Sequence, residues 1–332
     1  MRAVDAAPSP RYGYLGPEGT FCEMALTRWL ATDHHRAQAG DATPVPVPCS
    51  SVVGALAALR AGELDAAMVP IENSVEGGVT ATLDALSVGD ELVIVGEVLV
   101  PVTFVLAARP GTTLADVTAV GTHSHAWAQV RGWMDAHLPG ATYVPTLSTA
   151  AAAAGLGGGR GPAADAAPYD ASVSAAGAAT RHGLSVLADD IGDNRGAVTR
   201  FVLVSRPGRT PAPTGSDKTS VVLFQRDDHP GGLLELLEQF ATRGVNMTRL
   251  ESRPTGAAMG SYCFTIDFEG HVTDERVGET LMGLRRVCAQ VRWLGSYPAA
   301  DGVPTPPRAG TAEADFVAAR DWLAALRSSA TR

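Results

Sequence analysis

From Tyr12 to about residue 205, short apolar runs alternate with stretches whose apolar residues recur every three or four positions. That is the sequence form of an α/β layer architecture. YGYLG (Tyr12 to Gly16) reads as a strand, and the turn PEGT leads into a helix with Phe21, Ala25 and Trp29 on one face. PVPVP ends in a loop at Cys49 to Ser51, where Ser50 or Ser51 can cap the helix SVVGALAALRAG. DAAMVPI is the next strand, followed by the polar turn ENSVEGG and a short helix ending near Ser87.

The run from Leu92 to Ala107 holds a strand that leaves this first unit, and a second unit follows. It comprises TAVG, a helix around HAWAQVRGWMDAHL, the strand ATYVP, a helix from Ser148, the strand YDASVSA and a helix ending near His182. LSVLADD and TRFVLVS supply returning strands. Two α/β lobes joined by crossovers enclose a cleft, and open sheets bind ligands outside their strand C-termini. Gly155 to Pro168 is rich in Gly, Pro and Ala and lacks phosphate-loop spacing, so it reads as a mobile surface insertion.

Arg206 to Asp217 has linker composition, and the rhythm then changes to strand, helix, strand, strand, helix, strand over about 80 residues, the split-βαβ or ferredoxin-like plan. Leu233, Leu237 and Phe240 are expected to form one helix stripe, and Tyr262, Phe264, Ile266 and Phe268 one strand face in the core. Residues 299–310 form a second Pro/Gly-rich connection. The final helix, with Phe316, Ala319, Leu323 and Leu326 on one side, is expected to dock on the body or on a neighbouring subunit, because alone it is marginal in water.

Length and composition narrow the function. With 332 residues the chain has room for about two or three domains. A 45% hydrophobic and 18% charged composition excludes a mainly disordered chain. The formal charge of 26 − 35 = −9 disfavours a broad nucleic-acid-binding face. Cys22, Cys49, Cys263 and Cys288 show no C-x-x-C spacing and read as buried apolar groups or free thiols. The opening MRAVDAAPSPR lacks an apolar signal core, and the stretch Leu92 to Ala108 is broken by Glu97 and Pro101 and falls short of the ~20 residues a membrane span needs. A cytoplasmic protein is the expectation.

Candidate chemistry lies in the polar loops. His34 and His35 read as solvated surface, and His123 and His125 lack partners at metal-ligand spacing, so no metal site is expected. GPEGTF places Thr20 at a helix N-terminus, where free N–H groups attract carboxylate or phosphate. PIENSVEGG sets Glu72, Asn73 and Ser74 directly after an apolar strand. LSTAAAA puts Ser148 and Thr149 before a second helix, and DNRGAVTRF brings Thr199 and Arg200 to a strand entry. Each loop alone is explained by capping or a turn; the four together describe a cleft for a small dianion.

YLGPEGTF, VPIENSVEGG, LSTAAAA and VTRFVLV, in this order, resemble the bacterial prephenate dehydratase family, and HPGGLLELLEQF with LESRPT resembles its C-terminal phenylalanine-binding ACT domain. The resemblance covers about residues 11–298. It implies a two-lobed, periplasmic-binding-protein-like catalytic domain at 11–207, with lobes of about 11–90 plus 185–207 and 91–184. An ACT domain at 217–298 and a linker with a C-terminal helix at 299–332 follow. It also implies conversion of prephenate to phenylpyruvate with loss of water and carbon dioxide, no metal or organic cofactor, feedback inhibition by phenylalanine, and a homodimer or dimer-based tetramer, with neither nucleic acid nor membrane as partner.

Carried over by motif, Thr199 is the catalytic residue. Thr20, Asn73, Ser74, Thr122, His123, Gln129, Ser148, Thr149 and Arg200 are substrate-binding candidates. Thr122 stands at the family's serine, Ser124 where the family often has proline, and His125 where it often has glutamine. Gly231, Gly232, Leu233 and Leu234, with Glu251, Ser252, Arg253 and Pro254, are the implied phenylalanine-binding segments. Prephenate loses a ring hydroxyl and a ring carboxylate while its ring becomes aromatic, so the site needs orientation and donation to the departing oxygen more than a strong base. The alternatives are the same reaction on arogenate, or a non-catalytic two-lobed sensor.

Overall fold

The structure, a computed structural model, describes residues 9–39, 42–157, 167–255, 262–303, 306–307 and 309–330. In chain order the elements begin with β1 (Arg11–Leu15), α1 (Phe21–Leu30), α2 (Asp33–Ala39), β2 (Val45–Cys49), α3 (Val52–Arg60), β3 (Ala66–Asn73), β4 (Gly77–Gly78) and α4 (Thr80–Ser87). Next come β5 (Val93–Pro101), β6 (Val105–Ala108), β7 (Ala119–Thr122), α5 (Ser124–His137), β8 (Thr142–Pro145), α6 (Thr149–Gly157), β9 (Ala171–Ser174), α7 (Ala176–Arg181), β10 (Ser185–Ala188) and β11 (Val198–Ser205). The last set is β12 (Asp217–Phe224), α8 (Gly232–Ala241), β13 (Met247–Pro254), β14 (Tyr262–Glu269), α9 (Glu275–Val287), β15 (Gln290–Pro298) and α10 (Glu313–Ala330).

The chain divides into two units. The first takes the residues up to Val79 and Val98–Phe201; the second takes Thr80–Glu97 and everything from Val202 onward.

The first unit has two lobes, each an α/β sheet. One sheet runs β2-β1-β3 and continues into the parts of β11 and β5 that belong to this unit, with β1 parallel to both neighbours. Its helices bury apolar stripes: Cys22, Ala25, Leu26 and Trp29 of α1, and Val52, Ala55, Leu56 and Leu59 of α3. Ser51, not Ser50, caps α3, its hydroxyl accepting from Gly54 N at 3.0 Å. The other sheet, β10-β6-β9-β7-β8, is parallel across β8-β7-β9 and antiparallel at β9-β6-β10. Its core joins Phe104, Leu106 and Val120 to Ala126, Val130 and Met134 of α5. The long apolar run from Leu92 resolves into two strands, β5 and β6, separated by Val102 to Phe104. Of the expected 155–168 insertion, residues 158–166 lie outside the described residues.

The second unit contains the βαββαβ plan expected from the sequence, as an antiparallel sheet β13-β14-β12-β15 with α8 and α9. Phe264, Ile266 and Phe268 enter its core, whereas Tyr262 is exposed. The helix stripe is Gly232, Leu236 and Phe240, not Leu233, Leu237 and Phe240; the i, i+4 row is rotated by one position and leaves Leu233 and Leu234 outward. On the other face of the sheet Ser220 donates to Asp267 at 2.6 Å, and Arg249 pairs with the same carboxylate at 2.7 Å.

The segment Thr80–Glu97 belongs to this unit for a physical reason. The Lys218 ammonium donates to the fully buried Glu97 carboxylate at 2.9 Å, and Arg253 grips Asp84 through two bonds of 3.0 and 3.1 Å. Arg292 donates to the carbonyls of Leu86, Val88 and Gly89. The first half of α10 is held by Glu313, which accepts from Glu275 N at the start of α9, and by an Arg320–Glu275 pair; Trp322, Leu323 and Leu326 are exposed. No helix among the described residues is long and apolar enough to cross a membrane.

Candidate active site

The parallel strands of both lobes of the first unit end at one cavity of about 700 Å³. Loops after β1, β2, β3, β7 and β8 line it, the position open α/β sheets reserve for ligands. Its apolar wall includes Phe21, Phe104, Phe201, Val102 and Leu147, with Phe21 and Phe104 packed edge to face.

The polar wall is built around a tight turn. Asn73 pairs with Gly77 and Glu72 with Gly78, so the chain reverses within Ser74–Glu76. Gly77 has φ +83°, a left-handed conformation that costs other residues energy. Asn73 Oδ1 accepts from Val75 N at 2.8 Å and Glu76 N at 3.2 Å, which fixes the amide so that Nδ2 donates to Thr199 Oγ1 at 2.9 Å. Residues 126 positions apart are thereby joined at the cavity.

Ser74 serves this junction from behind. Its N–H donates to Val198 O and its hydroxyl accepts from Val198 N, both at 2.9 Å, which seats the start of β11 beside the turn. Along β11 side chains alternate, so Thr199 and Phe201 line the cavity while Arg200 points away from it. Arg200 is buried and faces Glu72 across 3.5 Å. The cavity therefore receives Thr199 and not the guanidinium beside it.

Three helix starts face the cavity. Thr20 caps α1: its oxygen accepts from Glu23 N at 3.3 Å while its hydroxyl donates to Leu15 O at 2.9 Å. Ser148 precedes α6 and accepts from Ala151 N at 2.9 Å, with Thr149 beside it on the lining. His123 caps α5, its Nδ1 accepting from His125 N at 3.3 Å. Burial, reinforced by the neighbouring His125 and opposed by Glu76, lowers the His123 pKa. A neutral ring that accepts at Nδ1 carries its proton on Nε2 and can donate it to a ligand. Thr122 is fully buried and donates to Val173 O at 2.8 Å, so its hydroxyl is committed to strand β9.

Glu76 and His125 line the cavity although sequence reasoning placed neither in the substrate site. The Glu76 carboxylate accepts from Gln129 Nε2 at 3.0 Å and pairs with His125 Nδ1 at 2.8 Å. The sole sequence signal was the position of Glu76 in the Asn73–Gly78 turn; its partners lie some fifty residues away. Cys49 also reaches the lining, and burial raises its pKa, so the thiol form persists. Among the described lining residues there is no Lys or Arg. No three His, Cys, Asp or Glu side chains gather in a metal-holding group among the described residues.

In the second unit, Gly231 to Leu234 form the entry and first turn of α8, with Leu233 and Leu234 exposed. Glu251, Ser252, Arg253 and Pro254 close β13, and Arg253 is the residue tied to Asp84.

The family model described as prephenate dehydratase matches residues 12–209. A curated prephenate dehydratase of Mycolicibacterium vanbaalenii is 46% identical over 96% of this chain and 98% of its own length. A crystal structure of prephenate dehydratase from Arthrobacter aurescens in complex with L-Phe is 54% identical and aligns with a TM-score of 0.85 over 96% of this chain and 99% of that one. A solved structure described as GqqA, a novel type of quorum quenching acylase, is 31% identical with a TM-score of 0.68 over 87% of this chain and 97% of that one.

Proposed function

The chain belongs to the prephenate dehydratase family, and from that premise we propose that it converts prephenate to phenylpyruvate, water and carbon dioxide in the cleft of the first unit. The observation that carries the mechanism is the Asn73–Thr199 hydrogen bond of 2.9 Å at the cavity wall. An amide N–H can only donate, so it occupies a lone pair of Thr199 Oγ1 and leaves the hydroxyl proton free for a ligand.

Prephenate carries a hydroxyl and a carboxylate on opposite carbons of its ring. As the bond to the carboxylate breaks, its electron pair enters the ring, the ring becomes aromatic, and the hydroxyl oxygen departs with the C–O pair. Thr199 donates to that oxygen as negative charge grows on it, and the oxygen leaves as water. The carboxylate leaves as neutral carbon dioxide, so each turnover takes up one proton, which Thr199 receives back from solvent. A threonine hydroxyl is too weak an acid to surrender its proton early; its main effect is a hydrogen bond that strengthens in the transition state, a contribution of roughly 10²–10³ in rate.

Binding follows from the remaining lining. Among the described lining residues the groups available to the two carboxylates are the N–H groups at the starts of α1 and α6 and His123 Nε2–H. Phe21, Phe104 and Phe201 offer faces and edges to the ring. Thr20, Ser148, Thr149 and Gln129 complete the polar wall.

Phenylalanine, bound in the Arthrobacter aurescens structure, is proposed to inhibit this chain by binding the ACT portion, residues 217–298. The first turn of α8 supplies N–H groups for its carboxylate, and the exposed Leu233 and Leu234 an apolar surface. Pairing of two copies through this portion, as a dimer or dimer-based tetramer in the cytoplasm, completes the reading.

The test is product formation by the purified full chain given prephenate or arogenate, with and without phenylalanine. Phenylpyruvate from prephenate, suppressed by phenylalanine, is expected, and the arogenate arm sets substrate preference. Absence of phenylpyruvate would overturn the reading and direct attention to the acylase chemistry named for the 31% identical structure.

A further inference from the structure

A carboxylate on the wall of a cavity that must accept a dianion is an electrostatic liability, yet Glu76 stands there half-exposed. Both of its oxygens are engaged by helix α5 of the opposite lobe: Oε2 with His125 Nδ1 at 2.8 Å and Oε1 with Gln129 Nε2 at 3.0 Å. Its backbone N–H meanwhile donates to Asn73 Oδ1 at 3.2 Å, and Asn73 Nδ2 donates to Thr199 Oγ1 at 2.9 Å. Glu76, gripped at its carboxylate by α5 and bonded through its backbone N–H to Asn73, thus links the first two turns of α5 to the hydroxyl assigned to the chemistry.

We propose that Glu76 is a positioning residue: held by His125 and Gln129, its carboxylate latches α5 to the Asn73 turn, setting the cleft opening and the Asn73–Thr199 geometry together. The inference rests on the dehydratase reading of this cleft. Both carboxylate oxygens are turned toward side chains of α5, His125 Nδ1 and Gln129 Nε2, and away from the space a dianion would occupy. The His123 ring lies beside this pair, its centroid 4.9 Å from that of His125. The latch joins two lobes whose contacts with substrate must form at once. Its loss therefore appears in KM through the cleft opening, and in kcat through the Thr199 geometry.

The experiment is a double-mutant cycle on the full chain, reading kcat and KM for prephenate together with the thermal midpoint. Glu76→Ala and His125→Ala are each expected to lower kcat/KM about tenfold, with a rise in KM and a fall in kcat. The double variant is expected to be no worse than either single one, because both remove the same latch. His125→Gln, which keeps a side-chain donor, is expected to recover most of the His125→Ala loss. Should Glu76→Ala fold poorly, Glu76→Gln with His125→Ala replaces it in the cycle. Wild-type kcat/KM in the single variants, losses that multiply, or a lowered thermal midpoint with unchanged kinetics would overturn the latch. A wild-type protein that makes no phenylpyruvate would overturn the dehydratase reading instead.

Discussion

Replacing Asn73 by aspartate exchanges one group and reverses the polarity of one hydrogen bond. In the native protein Oδ1 accepts from Val75 N and Glu76 N while Nδ2 donates to Thr199 Oγ1. Aspartate keeps the first two bonds, so the turn closed by Gly77 survives, but its second oxygen can only accept. The Thr199 hydroxyl then turns toward Asp at position 73 and is lost to the departing oxygen. Removing a donor aimed at developing negative charge costs about 10²–10³ in kcat, or about 2.7–4 kcal/mol. The new charge also repels the substrate: two like charges at ~4 Å interact by about 4 kcal/mol at an effective dielectric near 20, which raises KM. Single-turnover and steady-state phenylpyruvate formation separate the two effects. The expected result for Asn73→Asp is a near-native thermal midpoint, a kcat lower by at least about 10² and a raised KM. A folded variant with native kcat would refute the assignment of Thr199 as an oriented donor.

Three further outcomes follow from other parts of the structure. Lys218→Met leaves the buried Glu97 carboxylate without its ammonium partner and is expected to destabilise the protein by about 3–5 kcal/mol in denaturant unfolding, with partial recovery in Lys218→Met/Glu97→Gln; an unchanged midpoint would show that the pair contributes little. His123 has a lowered pKa in the folded protein, so its neutral form is favoured above the unfolded value of about 6.5 and this contribution is lost as pH falls through the lower folded value. The acidic limb of kcat/KM should therefore lie below that ordinary histidine value and flatten in His123→Asn; an unchanged limb in the variant would assign it to another group. Gly231 enters α8 at φ +91°, where alanine costs roughly 1–2 kcal/mol, so Gly231→Ala is expected to raise the phenylalanine concentration for half-inhibition about tenfold; an unaltered inhibition curve would place the effector elsewhere.

The α/β alternation, the βαββαβ unit and the loops that meet at the cavity were all legible from periodicity and turn chemistry, because each is encoded within ten or fifteen neighbouring residues. Side-chain commitments across the fold were not. Thr122 and Ser74 carry the hydroxyls the sequence offers for a ligand, but Val173 and Val198 of distant strands use them. The direction of Arg200 could have been read: if Thr199 and Phe201 face the cavity, strand alternation sends Arg200 to the other side. Glu76 and His125 could not be paired from a sequence that places them 49 positions apart. Nor does local pattern show that Thr80–Glu97 belongs with the C-terminal unit, since Glu97, Asp84 and Leu86 find their partners at Lys218, Arg253 and Arg292. Cutting the chain near Ser216 would strand that segment, so sensing by the C-terminal portion is better probed by substitution in the full chain.

We propose that the cleft dehydrates and decarboxylates prephenate through the Thr199 hydroxyl, which accepts from Asn73 Nδ2 at 2.9 Å. The most direct measurement is phenylpyruvate and carbon dioxide release from prephenate by the full chain and its Thr199→Ala and Thr199→Ser variants, each checked for an intact thermal midpoint. Equal amounts of the two products are expected from the wild type, with a kcat lower by roughly 10² or more in Thr199→Ala and intermediate turnover in Thr199→Ser, whose oxygen survives. Native kcat in a folded Thr199→Ala protein would contradict it.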